Sequence, residues 1–480
     1  MRVEYLGSGE KEDIERRVQK VATAGRLSRT SGKAYEVYEK SSNLGYEKNV
    51  KYAKRVIGMG HGSIAEHDYI ALSIDDVSPI LEHILIGSRL SSFTIKSRRE
   101  VDFRNNGFYI PEFRDKDGNI HPKNDELKEI YKNHMQNLFD EYGNLIDNGM
   151  RLEDARYILP YCFYSNMVMG MDAREFTRLT RYLLYGKVSN IEEARALGEK
   201  FLEIIDEYIP YMSDVVRENP KNGEDNLSFL DEYSVTPDNR DIEIHDKVKL
   251  TSYTPDSDRL ILISALQQRY QISHDKALEL LDKLSQEDSE FEDKLMRAIV
   301  SNDEKRELEQ VSFSFDIPIP LAVRTHLERH RMHSLLVPDF VPLWNLENYD
   351  TPPTLKKEQK DAYDRIFQKN REVRDYFVNQ GVNENDLVYF YQAANKCNVL
   401  TTINGSSLAW ISRMRCCNKA QAAIRKIVNE MCDEVRPISP LYGSYLGASC
   451  DVFGYCPEGN ESCGKILVKR KKEGSANDGK

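Results

Sequence analysis

The chain has 480 residues, 40% hydrophobic and 30% charged, with a net charge of -11. That length allows two or three domains with buried cores, and the acidic balance argues against a nucleic-acid backbone as main partner. No stretch approaches the roughly 18–20 uncharged apolar residues of a membrane span.

The N-terminal MRVEYLGSGEKEDIERR has no apolar core and carries acids, so it is read as neither a secretory signal nor a transit peptide. The expectation is a cytoplasmic protein with reduced cysteines. GHGSIAEHDY at 60–69 gathers His61, Ser63, Glu66 and His67 just before YIALSI, whose alternation predicts a strand over 69–74. The His spacing is not that of the helical zinc motif, in which two His stand four apart, so no metal is assigned there. Pro79 then opens a helix, and GSRLSSFTIKSRRE occupies 87–100. The most apolar run, 157–171, contains Ser165 and Asn166, lies between Arg156 and Asp172, and is read as a buried helix. Residues 187–208 repeat apolar positions three and four apart, another helix. Residues 213–246 are acidic, carry Asn, Pro and Gly, and read as a linker.

Beyond it the same order of signals returns. VSFSF at 311–315 alternates as a strand; a helix is expected to begin near Pro318; LERHRMHSLLVPDF at 327–340 sets Arg329, His330 and Arg331 side by side; and 421–435 is helical. LSIDDVSPI (72–80) lies over FSFDIPIPL (313–321) at an offset of 241, Arg89-Leu90-Ser91-Ser92 over Arg331-Met332-His333-Ser334 at 242, and DAREF (172–176) over NGSSL (404–408). Three matches in one order indicate a duplication. The step in offset is read as a residue lost from the first half's helix. Two guanidiniums beside an imidazole suit an anion, because guanidinium forks onto phosphate oxygens.

These fragments together resemble the flavin-dependent thymidylate synthases. That family's R-H-R-x-x-S-x-N-E-x-S-x-R is preceded by H-x-S/T-x-x-E-H and followed by A-R-x-x-L-P and N-A-R-S-L…R…A-Q-x-E-I-R. The resemblance occurs twice, over roughly residues 18–212 and 248–435. The first half keeps His61, Ser63 and Glu66, then Arg89, Ser92, Ser97 and Arg99, then Arg156 in ARYILP; Gly87 and Ser88 replace the Arg-His pair and Ile95 the Glu. The second half keeps Arg329, His330, Arg331 and Ser334, then Asn404, Arg415, Ala420, Gln421 and Arg425. Leu336, Asp339 and Val341 replace the family's Asn, Ser and last Arg, and Val388 stands for Arg156. Ser406 stands for the Arg of N-A-R, Lys419 for the following His, and His326 for a Gln; no His-x-Ser-x-x-Glu-His copy is visible.

The resemblance implies an α/β chain of two tandem domains, each helix-rich around a central sheet: residues 1–212, the linker 213–246, residues 247–449, and a cysteine-containing tail over 450–480. It implies reductive methylation of dUMP to dTMP, with methylenetetrahydrofolate as carbon donor and NADPH reducing FAD. The nucleotide would be met by Ser97, Arg99 and Arg156 from one half and Arg329 and Arg415 from the other, with Ser97 and Arg329 the catalytic pair. FAD would be held by Ser28, His61, Ser63 and Glu66 together with His330, Arg331 and Asn404. The site would draw on both halves, and a homodimer would stand in for the family's tetramer. The family uses no enzyme nucleophile, so Cys416 and Cys417 are not nominated as one, and their expected helical setting makes them packing residues. The alternative is a non-catalytic or altered-specificity pyrimidine-nucleotide-binding paralogue, which Ser406 and Lys419 favour. In the tail, Cys450, Cys456 and Cys463, with Cys432 as a possible fourth, leave a metal, a disulfide or loose thiols open, because their spacings are not those of a zinc ribbon or finger.

Overall fold

A computed structural model describes residues 1–217, 229, 244–341 and 346–465. The first half runs β1 (Arg2–Tyr5), α1 (Lys11–Leu27), β2 (Tyr69–Val77), α2 (Pro79–Ile86), β3 (Ser92–Ile95), α3 (Asn124–Asp147), β4 (Ser165–Asp172), α4 (Ala173–Tyr185) and α5 (Glu192–Tyr208). Its four strands form an antiparallel sheet in the order β1-β2-β4-β3. Alternation in β2 sends Ile70, Leu72 and Ile74 inward, all fully buried. Met167, Met169 and Met171 of β4 do the same, and their unbranched chains fill the space beside them. The apolar stripes of α4 (Phe176, Leu179, Leu183) and α5 (Leu197, Phe201, Ile205) complete this core.

The second half repeats the plan as β5 (Lys249–Tyr253), α6 (Ser257–Tyr270), β6 (Ser312–Pro320), α7 (Leu321–Glu328), β7 (Ser334–Leu336), α8 (Lys360–Asn379), β8 (Lys396–Asn404), α9 (Gly405–Arg415) and α10 (Ala422–Val435). Its sheet has the matching order β5-β6-β8-β7. The chain is thus an α/β protein with two tandem copies of one helix-rich, single-sheet fold. Helices at His274–Glu287 and Phe291–Ser301, between α6 and β6, match helices at Ala34–Leu44 and Tyr46–Gly58, between α1 and β2.

Three sequence expectations are corrected. The apolar run at 157–171 is not a helix but a 3-10 turn (Arg156–Ile158) followed by β4. Pro160 removes the N–H a helix needs, and a buried strand carries the same unbroken apolar pattern as a buried helix. Second, Pro318 lies inside β6 and the helix starts at Leu321. Pairing with β5 ends at Asp316, so Pro318 and Pro320 fall where β6 has a neighbour on one side only, the place a strand tolerates proline. Third, no residue is missing from the first half's helix, since α2 and α7 are both eight residues long. Tyr69 pairs with Asp172 and Ser312 with Asn404, so these two strands start 243 positions apart; Ser92 pairs with Gly170 and Ser334 with Thr402, 242 apart. The difference is an extra first-half residue at a bulge between Ile74 and Val77, where Asp76 takes φ 57°.

The chain gathers into two compact units. One takes the described residues of 1–242, 340–347 and 354–393; the other takes those of 243–339, 348–353 and 394–480. Helix α8, second-half by sequence, therefore belongs to the first unit. There His134 of α3 meets Asn370 of α8 at 2.9 Å, and the Arg114 guanidinium is clamped by Asp386. Of the expected linker, Ser213–Arg217 forms a short helix, while 218–228 and 230–243 lie outside the described residues, as does the tail beyond 465.

One buried ionic network fastens the first unit's helices to its sheet. Asp68, the residue before β2, accepts from Arg17 Nε (2.7 Å) and Nη2 (3.1 Å) of α1 and from the Tyr211 hydroxyl (2.6 Å), and its carbonyl accepts the Ala173 N–H that opens α4. Both charged side chains are almost fully buried. Removing one partner strands the other charge away from water, so Asp68→Ala is expected to destabilise this unit by about 3–5 kcal/mol. Urea unfolding followed by circular dichroism measures it; a loss below about 1 kcal/mol contradicts the assignment.

Candidate functional site

The candidate residues fall into three groups, each built by a strand end or the turn beside it. The first surrounds the 3-10 turn Gly62–His67, which delivers the chain into β2. A cleft of about 340 Å³ is lined by Ser28 at the end of α1 and by Arg29, His61, Ser63, Glu66 and His67. Arg29 Nη2 stands 3.3 Å from His61 Nε2, and Arg174 Nη1 donates to Glu66 Oε1 at 2.5 Å. All four expected residues here (Ser28, His61, Ser63, Glu66) share one exposed rim.

The second group lies just after β3. The Ser97 hydroxyl accepts the Arg99 backbone N–H at 3.2 Å, Arg99 Nε pairs with Glu153 at 2.9 Å, and Arg156 Nε donates to the Glu153 carbonyl at 3.2 Å. Arg156 is only 3% exposed; burial, with the neighbouring Arg98 guanidinium second, holds it down to about 10. Arg98 is neutralised by a bidentate contact to fully buried Glu82 at 2.7 and 2.9 Å. Glu153 faces Arg99 as Glu82 faces Arg98, so two of these three guanidiniums are charge-paired, with Arg156 buried beside them.

The third group lies where α7 ends and α9 begins. A cleft of about 510 Å³ is lined by Arg329, His330, Arg331, Asn404, Lys305, Trp410 and Arg413, with Asp303 and Glu309 on its acidic side. Asn404 closes β8 and caps α9, its side-chain oxygen accepting the Ser407 N–H at 2.8 Å. Ser407 Oγ donates to the Met332 carbonyl at 3.2 Å, tying α9 to the Arg-His-Arg loop. At Gly405 a Cβ would stand 2.7 Å from the Leu308 carbonyl, so only glycine lets the turn Arg306–Gln310 pack there. Arg415 Nε donates to His330 Nε2 at 3.0 Å. That ring nitrogen is thereby the acceptor, which leaves Nδ1 to carry the proton. Burial, then the charge of Arg415, pushes His330 down to about 3.

The first half fills the matching corner differently. Ser88, at the position of His330, is buried and donates to Glu175, which Arg178 neutralises. A carboxylate thus occupies the corner where the second half presents cations. Conversely, Arg306–Gln310 stands where the first half has Gly62–His67, and the strand register puts Glu309 at the place of Glu66 with no histidine.

The sequence reading missed Arg174, Arg29, Lys305, Trp410 and Arg413. Arg174 had a signal: it stands in DAREF, two residues after Asp172, which caps α4 as Asn404 caps α9. The first half therefore keeps an arginine at the position where the second has Ser406. Lys305, Trp410 and Arg413 reach their cleft only through packing; Arg413, for instance, lies 4.6 Å over the Phe453 ring. Lys419 turns away toward Glu458 and Glu461 at 3.9 and 3.7 Å. Cys416 is buried with its sulfur 4.0 Å from that of Cys432, and neither cleft is lined by a cysteine.

The family model described as thymidylate synthase complementing protein matches residues 13–211 and again 249–441. Among curated relatives, a protein of Clostridium tetani named flavin-dependent thymidylate synthase is 29% identical over 249 residues, 47% of this chain and 96% of that protein. A protein of the same name from Geobacter sulfurreducens is 30% identical over 157 residues, covering 32% of this chain and 63% of its own length. Among solved structures, thymidylate synthase X (ThyX) of Helicobacter pylori with FAD and dUMP matches 46% of this chain and all of its own, at 18% identity and a TM-score of 0.34.

The depressed His330 has a testable signature. Its ring stays neutral between pH 8 and 4, so its NMR carbon–proton signals do not move over that range. An unfolded histidine takes its proton near 6.5. Below that pH the unfolded state binds more protons, and the native state loses stability from about 6.5 down toward 3. Arg415→Ala removes one of the charges depressing the ring and should raise its pKa. An unchanged titration in that variant would contradict the pairing.

Proposed function

Because the chain belongs to the thymidylate synthase complementing protein family in both of its halves, we propose that it is a flavin-dependent thymidylate synthase. The reaction is reductive methylation of dUMP to dTMP, with methylenetetrahydrofolate giving the carbon and NADPH reducing FAD. One observation carries this reading. The halves have lost complementary parts of a single residue set, and what each retains is gathered locally: Ser97, Arg99 and Arg156 in one, Arg329, His330, Arg331, Asn404 and Arg415 in the other. Loss without function would have scattered.

The donor set suits a nucleotide and a flavin. Arg99 and Arg156 supply forked donors for a phosphate monoester, and Ser97 a hydroxyl beside them. Arg329 is exposed at the mouth of the 510 Å³ cleft, where it meets charge on the pyrimidine side. Lys305, Arg331 and Arg413 suit a dinucleotide's phosphates, with Asn404 as a further donor and Trp410 as an apolar face for a ring system. His330, neutral and holding its proton on Nδ1, donates without adding charge. Ser28, His61, Ser63, Glu66 and Arg174 complete the flavin set from the first half. FAD, when bound, supplies the electron transfer; the residues bind, orient and neutralise. No thiol is needed as nucleophile. Two chains, each bringing two domains, make the expected homodimer.

The second reading, a nucleotide-binding paralogue without turnover, is favoured by Ser406 and by Lys419, which is engaged with Glu458 and Glu461. Anaerobic addition of dUMP and NADPH to the purified protein separates the two. Bleaching of the flavin band supports the enzyme, whereas a colourless protein that takes up no FAD refutes it. Arg156→Ala and Arg415→Ala, one from each half, should each weaken dUMP binding at least tenfold by calorimetry. Intact binding in either variant removes that half from the nucleotide site.

A further inference from the structure

Beyond the clefts, one feature of the second unit has no part in the reaction proposed above. A small cavity of about 20 Å³ lies between the connection from α9 to α10 and the segment after Ala448. Four of its lining residues are cysteines, Cys417, Cys450, Cys456 and Cys463, in a chain that has only eight. We propose that these four thiols form a binding site for a thiophilic divalent cation of the zinc class.

The segment needs such a staple. None of residues 449–465 is buried, and their regular structure is one turn of helix at Ser449–Val452 and a 3-10 turn at Gly459–Glu461. A stretch without an apolar core holds one conformation through cross-links or metal rather than through burial. The cavity has about the volume of one small sphere, and four thiolates around one ion is a standard structural zinc set. Asn418 Nδ2 donates to the Cys463 sulfur at 3.8 Å, the kind of second contact that orients a metal thiolate. Lys419, Lys465 and Glu458 also line the cavity; Lys419 is paired with Glu458 and Glu461 and Lys465 with Asp451, so the charge at the site would come from the thiolates and the ion.

Among the described residues, no three His, Cys, Asp or Glu side chains already stand at ligand spacing. The ion must therefore draw the Cys450, Cys456 and Cys463 loops in on Cys417. Gly454, Gly459 and Gly464, all at positive φ, supply that freedom. Cys432, the fourth thiol that the sequence suggested, lies buried against Cys416 instead. The site also bears on the large cleft, because Phe453, three residues after Cys450, is the ring beneath Arg413.

The test uses the full chain, purified with reductant and without chelator, its metal content read by mass spectrometry. One zinc per chain is expected, together with a thiolate-to-metal charge-transfer band when Co²⁺ replaces it. Cys456→Ser/Cys463→Ser and, separately, Cys417→Ser should retain less than a tenth of the metal, with circular dichroism reporting that each remains folded. Three results each overturn the proposal: a wild-type chain that shows no cobalt–thiolate band after Co²⁺ addition, serine variants that keep full metal content, or native protein in which two of these cysteines are joined as a disulfide.

Discussion

In each half, the antiparallel pairing of two central strands decides where every candidate residue ends up. Tyr69 opposite Asp172 and Ser312 opposite Asn404 align the turn that enters one strand with the cap that leaves the other. Because side chains alternate with a period of two, a slip of one residue would turn every buried side chain outward. The same register places the end of α2 or α7, so that Ser88 meets the start of α4 and the Arg-His-Arg loop meets the start of α9. The Asp76 bulge absorbs the one extra residue in the first half and leaves the register of β3 on β4 intact.

Upon this shared frame the two copies have diverged electrostatically. In the first, Glu175 and Arg178 fill the corner beside Ser88, and carboxylates face both Arg98 and Arg99, from Glu82 and Glu153. In the second, Ser407 replaces that glutamate and four cations line an open cleft. The divergence is local: a paired carboxylate stands at one corner, and a serine at the matching position of the other. Membership of the thymidylate synthase complementing protein family in both halves makes this pattern legible as specialisation after duplication.

The tail shows a different principle. No residue of 449–465 is fully buried, yet they carry three of the four thiols around the small cavity and the ring that supports Arg413. Order in such a segment comes from a few specific contacts rather than from area removed from water.

Much of this protein is legible in its residues before any coordinates. Motif spacing identified the family twice, alternation located β2 and β6, helical periodicity located α5 and α10, and the Arg-His-Arg, Asn404 and His61–Glu66 positions all proved to line clefts. These features are local, so a short window of residues carries them. Long-range packing settled the rest. Apolar content could not separate a buried strand from a buried helix at 157–171, because both present an unbroken hydrophobic run. Helix α8, second-half in sequence, packs with α3 through His134 and Asn370, a choice made by contacts distant along the chain. Arg413, Lys305 and Trp410 join a cleft only because strands and helices distant in sequence converge there. For the same reason Cys417 rather than Cys432 faces the tail's thiols: just past the end of α9, Cys416 packs into the core against Cys432 while Cys417 lines the small cavity with the tail.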